Sequence, residues 1–233
     1  MEIKTIAEVY HQINALQTEF ALSTVNKVKY LFLEKAQSAV GNRLIDIGCG
    51  DGRVLKEVFL ENCGLKFSEV IGTDKSVDMV KFANDNYVND KLNFHVLDIA
   101  SSNIGDNFGT FDIATSYYVF HWFKDQQQAV NNVQKLLKPG GIFHLHFVVD
   151  FSIANFFGSL IKKYKSMEKP LTDAIPLLKQ DPNFMENFKS VLEESGFNVE
   201  LSEILGIDYD FKTAETYIGK SFKLLANHFL IIF

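Results

Sequence analysis

Residues 44 to 52 read Leu-Ile-Asp-Ile-Gly-Cys-Gly-Asp-Gly, an apolar strand that passes directly into three alternating glycines. Few folds accept such a segment. A strand that ends in a tight glycine turn and resumes as a helix opens an α/β fold, in which ligands bind beyond the carboxyl ends of the strands. Gly48, Gly50 and Gly52 let the backbone turn sharply and meet a ligand with no Cβ in the way. The spacing is G-x-G-x-G. It differs from the G-x-G-x-x-G of dinucleotide binders, where the third glycine seats the helix beneath a pyrophosphate. Asp46, just before the loop, would repel a diphosphate and suits a ligand with a cationic centre and an amino group.

The rest of the chain extends the same architecture. From Arg43 onward, short β-branched runs alternate with longer helical ones, the pattern of βαβ units and a mostly parallel central sheet flanked by helices. Strands are expected near 43–47, 69–73, 93–97, 111–116 and 141–148, with helices over 53–61, 76–86 and 125–137. Ser76 is a plausible N-cap, and Lys138-Pro139-Gly140-Gly141 reads as a helix stop followed by a turn. Two N-terminal helices are expected over 2–20 and 23–39, a helical cap over 151–182, a helix near 183–195 and a strand around 198–206. The whole of 1–233 is read as one domain: 1–40 helical, 41–150 the cofactor-binding core, 151–182 the cap, and 183–233 completing the sheet. His228-Phe229-Leu230-Ile231-Ile232-Phe233 is either a final strand or an exposed apolar end.

Composition excludes some partners. A net charge of −6 argues against a surface that tracks phosphates, so no nucleic-acid partner is expected. No stretch reaches the roughly 18 apolar residues of a membrane span. Cys49 and Cys63 have no spacing suited to zinc or to a disulfide framework, so no metal and a cytoplasmic location are expected.

S-adenosylmethionine has the cationic centre and amino group that the glycine loop suits, and it also carries a ribose and an adenine. Asp74 closes the second strand where an acid accepts hydrogen bonds from ribose hydroxyls, although a helix N-terminal acid would sit there too. Asp98 follows the third strand, where a carboxylate can accept from an adenine amino group while Ile99 packs on the ring; an ordinary turn aspartate is the other reading. The fourth strand ends in Ser116-Tyr117-Tyr118-Val119-Phe120-His121-Trp122, at the edge where substrates meet cofactors. Trp122 is either a donor to substrate or a core tryptophan, and His121 either a general base or a structural neighbour. The phenylalanines Phe147, Phe151, Phe156 and Phe157 line either an apolar substrate tail or the core.

Asp46-x-Gly48-x-Gly50-x-Gly52, Asp74, Asp98 and the Leu136-Leu137-Lys138-Pro139-Gly140-Gly141 turn, in this order, resemble the class I S-adenosylmethionine-dependent methyltransferases and their Rossmann-like fold. Tyr10-x-x-x-Asn14-x-Leu16-Gln17, Gly72-Thr73-Asp74-Lys75-Ser76, Leu97-Asp98-Ile99 and Ser116-Tyr117-Tyr118 through His121-Trp122 are further similar to the insect juvenile hormone acid O-methyltransferases. The resemblance implies methyl transfer to the carboxylate of farnesoic or juvenile hormone acid. It assigns Gln17 and Trp122 to hold the substrate carboxyl, with Asp46, Gly48, Gly50, Gly52, Asp74, Asp98, Ile99 and Ser116 around the cofactor. Members of that family continue further, whereas this chain stops soon after Tyr217-Ile218-Gly219-Lys220-Ser221, so the final strand and part of the cap are expected to be missing or replaced. The alternatives are a methyltransferase for another small carboxylic acid and a cofactor-binding protein without turnover.

Overall fold

A computed structural model describes residues 5–36, 40–105, 108–123, 125–151, 183–210 and 221–232. Residues 152–182, where the cap is expected, lie outside them. The elements run α1 (Ile6–Ile13), α2 (Ala15–Lys35), β1 (Val40–Ile47), a π-helical stretch (Val54–Phe59) passing into the short α3 (Leu60–Asn62), β2 (Lys66–Asp74), α4 (Val77–Tyr87), β3 (Leu92–Val96) and β4 (Phe111–Tyr117). A 3-10 turn (Phe120–Trp122), α5 (Gln126–Leu136), β5 (Leu137–Phe151), α6 (Phe184–Glu194), β6 (Asn198–Asp210) and β7 (Ser221–Ile232) complete it.

The seven strands form one sheet in the order β3-β2-β1-β4-β5-β7-β6. The first five are mutually parallel, and β7 lies antiparallel between β5 and β6. The polypeptide therefore reverses lateral direction after β3, and the gap between the carboxyl ends of β1 and β4 is the switch point at which such sheets bind ligands. Strand alternation assigns each side chain to a layer. Leu44, Val70, Phe94 and Ile113 pack under α2, α3 and α4. Ile45, Ile47, Ile71, Ala114, Phe143 and Leu145 pack against α5 and α6.

Three expectations are corrected. The N-terminal helices break at Asn14, not near residues 21 and 22, because Thr5 and Glu8 form a capping box at the start of α1 while the fully buried Asn14 closes α1 and opens α2. The Lys138-Pro139-Gly140-Gly141 segment is the bulged start of β5, with a register shift between Phe111 and Ile113 on the partner strand and Gly140 at φ +77°. The final strand is not missing: β7 pairs along its length with both β5 and β6.

Phe147 is fully buried and packs edge-on against Phe184 and Phe188, in the α6 layer and not in a substrate cavity. The side chain of Phe151, and all of Phe156 and Phe157, lie outside the described residues. Among the described residues no helix is long and apolar enough to cross a membrane.

Candidate active site

The glycine loop leaves β1 and is held from two sides. Cys49 N–H donates to the Thr73 carbonyl at 2.8 Å. Gly50 N–H donates to Asp74 Oδ2 at 3.0 Å, and Ser76 N–H donates to Asp74 Oδ1 at 2.8 Å. Asp74 thus ties the loop to the start of α4 and uses two of the roughly four lone-pair positions of a carboxylate. Gly48 sits at φ +72°, and a Cβ there would come within 2.2 Å of the Val119 side chain, so both conformation and packing require glycine. Gly52 serves the helix that follows: a Cβ on it would crowd the Phe94 ring at 3.0 Å.

Asp46 and Ser116 lie beneath this surface. Thr115 Oγ1 donates to Asp46 Oδ1 at 2.6 Å, Thr73 Oγ1 donates to the Asp46 carbonyl at 3.0 Å, and Ser116 Oγ donates to the Ile47 carbonyl at 2.9 Å. Burial pushes the Asp46 carboxyl up to about 7, against the pull of the Thr115 hydroxyl and with the Asp74 charge adding to the rise. Burial also pushes the Cys49 thiol well above its usual value, so it is no nucleophile at neutral pH.

A cleft of about 330 Å³ opens above the loop. At its β2 and β3 end it is lined by Gly48, Gly50, Asp74, Lys75, Ser76, Met79, Leu97, Asp98 and Ile99. Toward β4 and β5 the walls are Tyr117, Tyr118, Val119, Trp122 and Phe123, and Tyr10 of α1 also lines the cleft. Asp98 is oriented by the Ala100 N–H, which donates to its Oδ1 at 3.0 Å, and the Ile99 carbonyl accepts from Asn132 Nδ2 at 2.8 Å. Six of the residues singled out from sequence therefore meet in one cavity: Gly48, Gly50, Asp74, Asp98, Ile99 and Trp122. Asp46, Gly52 and Ser116 support its floor, while Gln17 and His121 are not among its lining residues.

Gln17 lies in the first turn of α2 with its Oε1 buried and without a hydrogen-bond partner among the described residues. His121 Nδ1 is likewise buried and unpaired, and burial pulls its pKa down to about 3, so the imidazole is neutral and a weak base at pH 7. Trp122, beside it, is 49% exposed and so is not a core tryptophan.

The sequence reading missed the group that fastens α1 to the loop. Asp51 is almost fully buried, and its Oδ2 receives His11 Nδ1 at 2.6 Å and Asn14 Nδ2 at 2.9 Å. Arg53 donates to the His11 carbonyl at 2.9 Å, to Asn14 Oδ1 at 2.7 Å and to His11 Nε2 at 2.6 Å. A guanidinium only donates, so His11 Nε2 accepts and Nδ1 carries the hydrogen toward Asp51. This clasp holds Tyr10 over Gly50, where burial, then the charges of Asp51 and Asp74, push its phenol up to about 12. The available signal was an acidic residue inside the glycine loop with an arginine two residues on. Arg43 is committed at the opposite end of β1, where it bonds Glu69 and the carbonyls of Phe108 and Thr110 and stacks on Phe111.

The cleft volume, the Gly48 and Gly50 backbone that lines it, and the remaining acceptor positions on Asp74 fit a nucleoside-bearing ligand. The strand order, the glycine loop and the acidic strand ends define a class I S-adenosylmethionine-dependent methyltransferase. The methyltransferase domain family matches residues 45–143. The juvenile hormone acid O-methyltransferase of Bombyx mori is 31% identical over 84% of this chain and 70% of its own length. The protein of the same name from Drosophila melanogaster is 30% identical over 68% of this chain and 56% of its own. The chain thus spans between about half and two thirds or slightly more of these relatives. Magnesium protoporphyrin IX methyltransferase from Synechocystis, solved with bound S-adenosylhomocysteine, shares the fold with a TM-score of 0.60 at 14% identity, over 97% of this chain and 93% of that one. The CurJ carbon methyltransferase does so with a TM-score of 0.58 at 23% identity, over 95% and 57%. The chain belongs to the S-adenosylmethionine-dependent methyltransferases and lies close to the juvenile hormone acid O-methyltransferases. The cofactor of that family is S-adenosylmethionine.

Proposed function

We propose that the protein methylates the carboxylate of a small apolar acid, releasing a methyl ester. The observation that carries this reading is the wall of the cleft toward β5: it is aromatic and apolar, and Lys75, at the β2 end, is the one cation among the described lining residues. Both arginines of the chain are engaged elsewhere. A polyanionic acid would demand guanidinium groups here, whereas a monocarboxylate with an apolar tail does not. The relatives named for juvenile hormone acid support the same substrate class.

Bound S-adenosylmethionine supplies a methyl group on a sulfonium. In this reading Asp74 accepts from the ribose hydroxyls, Asp98 accepts from the adenine amino group, and Ile99 packs on the base. Gly48 and Gly50 admit the amino-acid end of the cofactor, with Asp46, Gly52 and Ser116 fixing the loop from below. Trp122 at the rim and, by resemblance, Gln17 from α2 donate to the substrate carboxylate.

A carboxylic acid of pKa about 4 to 5 is already ionised at pH 7 and needs no base, which is compatible with the weak basicity of His121. What it needs is alignment, which Trp122 and, by resemblance, Gln17 would supply by holding the carboxylate toward the methyl group. A C–O bond forms as the C–S bond breaks, the electron pair stays on sulfur, and no proton moves. Opposite charges cancel in the transition state, so a dry aromatic wall favours it.

The two buried free cysteines suit a reducing compartment, and we place the reaction in the cytoplasm. Incubation with S-adenosylmethionine and a panel of apolar acids, farnesoic and juvenile hormone acids among them, should yield methyl esters by mass spectrometry. Cofactor binding without ester from any acid would instead leave a binding protein.

A further inference from the structure

Tyr118 carries two separate costs in the wall of the cleft. Among the described residues it is the only one other than glycine with φ in the left-handed region, at +63°. A bulky side chain held there is strained and persists only where its surroundings impose it. They do so here: Tyr118 N–H donates to the His146 carbonyl at 2.7 Å, and the ring meets the His146 ring edge-on at 4.9 Å. The second cost is its hydroxyl, which is buried and has no hydrogen-bond partner among the described residues. A phenol is both donor and acceptor, and proteins rarely bury one unpaired.

Position within the sheet says what is expected to satisfy it. Tyr118 follows β4 directly and contacts β5, whereas Asp74 and Asp98 follow β2 and β3. With β1 between these two pairs of strands, the nucleoside half of the cleft lies on one side and Tyr118, together with Trp122, on the other. Building on the proposed carboxyl methylation, we infer that the Tyr118 hydroxyl donates a hydrogen bond to a carboxylate oxygen of the acid substrate. The donor is neutral, so it orients the nucleophile without cancelling its charge as a guanidinium would. Burial, then the neighbouring Tyr10, pushes the Tyr118 phenol well above its usual range, which keeps the proton on the donor.

Tyr118→Phe tests this because it keeps the ring on His146 and removes only the hydroxyl. The expected result is a loss in kcat/KM for the acid of about tenfold to a hundredfold, the effect of one hydrogen bond to a charged group. Acid binding measured by calorimetry in the presence of S-adenosylhomocysteine should weaken in parallel, while affinity for S-adenosylhomocysteine itself stays unchanged. Since the hydroxyl has no partner among the described residues, Tm should hold or rise. An active wild type with an equally active variant overturns the assignment and leaves carboxyl methylation standing. A fall in both Tm and cofactor affinity overturns it too, by showing a structural hydroxyl. No ester from the wild type with any acid removes the underlying function, and the ligand assigned to Tyr118 with it.

Discussion

At the scale of single residues, the placement of the acids at the strand ends was legible from sequence because it follows from their position after apolar strands, which a sequence displays. Asp74 and Asp98 were expected at the mouth of the sheet and are found lining the cleft. Asp74→Ala should weaken binding of S-adenosylhomocysteine at least tenfold, since it removes the proposed ribose acceptor and the anchor for Gly50 and Ser76; an unchanged dissociation constant by calorimetry would show the ribose assignment to be wrong. Trp122→Phe should lower kcat/KM by about tenfold to a hundredfold, one orienting hydrogen bond, and turnover equal to wild type would take Trp122 out of the site. Asp46 was legible as an acid but not as a buried one. Its proton is held more tightly in the folded chain, at about 7, than at the ordinary aspartate value of 3.8. The folded state therefore carries an extra proton between those values, so the stability Asp46 contributes is present at low pH and is lost as pH rises toward about 7. Asp46→Asn keeps an oxygen for the Thr115 hydroxyl and should flatten that decline, as read from denaturant midpoints across the window. A slope identical to wild type would assign the titration to another group.

At the scale of elements, βαβ alternation located the parallel strands and α4 and α5 to within a few residues, because their apolar period reports burial directly. The N-terminal break escaped this logic. Nothing in the local pattern marks Asn14 as a boundary, and its buried amide is stabilised by Asp51 and Arg53, which lie 37 and 39 residues away in the chain. Pro139 and the glycines after it are strong turn signals, yet β4 recruits that segment into a bulged edge of β5. The clasp among His11, Asn14, Asp51 and Arg53 carries its own prediction. Asp51→Ala leaves the His11 imidazole N–H, the Asn14 amide and the Arg53 backbone N–H short of an acceptor, and should speed hydrogen exchange in α1 far more than in the sheet. Uniform change across both elements would mean that the clasp is not a local device.

At the scale of the whole molecule, the sheet order brings the two halves of the site together and β7 closes the far side. Pairing with both β5 and β6 gives β7 no free edge, so a proline there removes a ladder bond that no rearrangement at an edge can restore. Ala226→Pro, at the position opposite Val148 and Leu205, should cost on the order of 1–3 kcal/mol, or roughly 2–10 °C in Tm. An unaltered melting profile would indicate that β7 contributes little to the cooperative unit.

The glycine loop, the acids after β2 and β3 and the alternation of strands and helices were written in the sequence, because each follows from backbone freedom, charge or apolar period within a few residues. The break at Asn14, the clasp on Asp51, the strained Tyr118 and the place of β7 were decided only when the chain closed on itself. Each depends on partners far away in sequence, and a contact between distant residues leaves no periodic trace in the segments that make it.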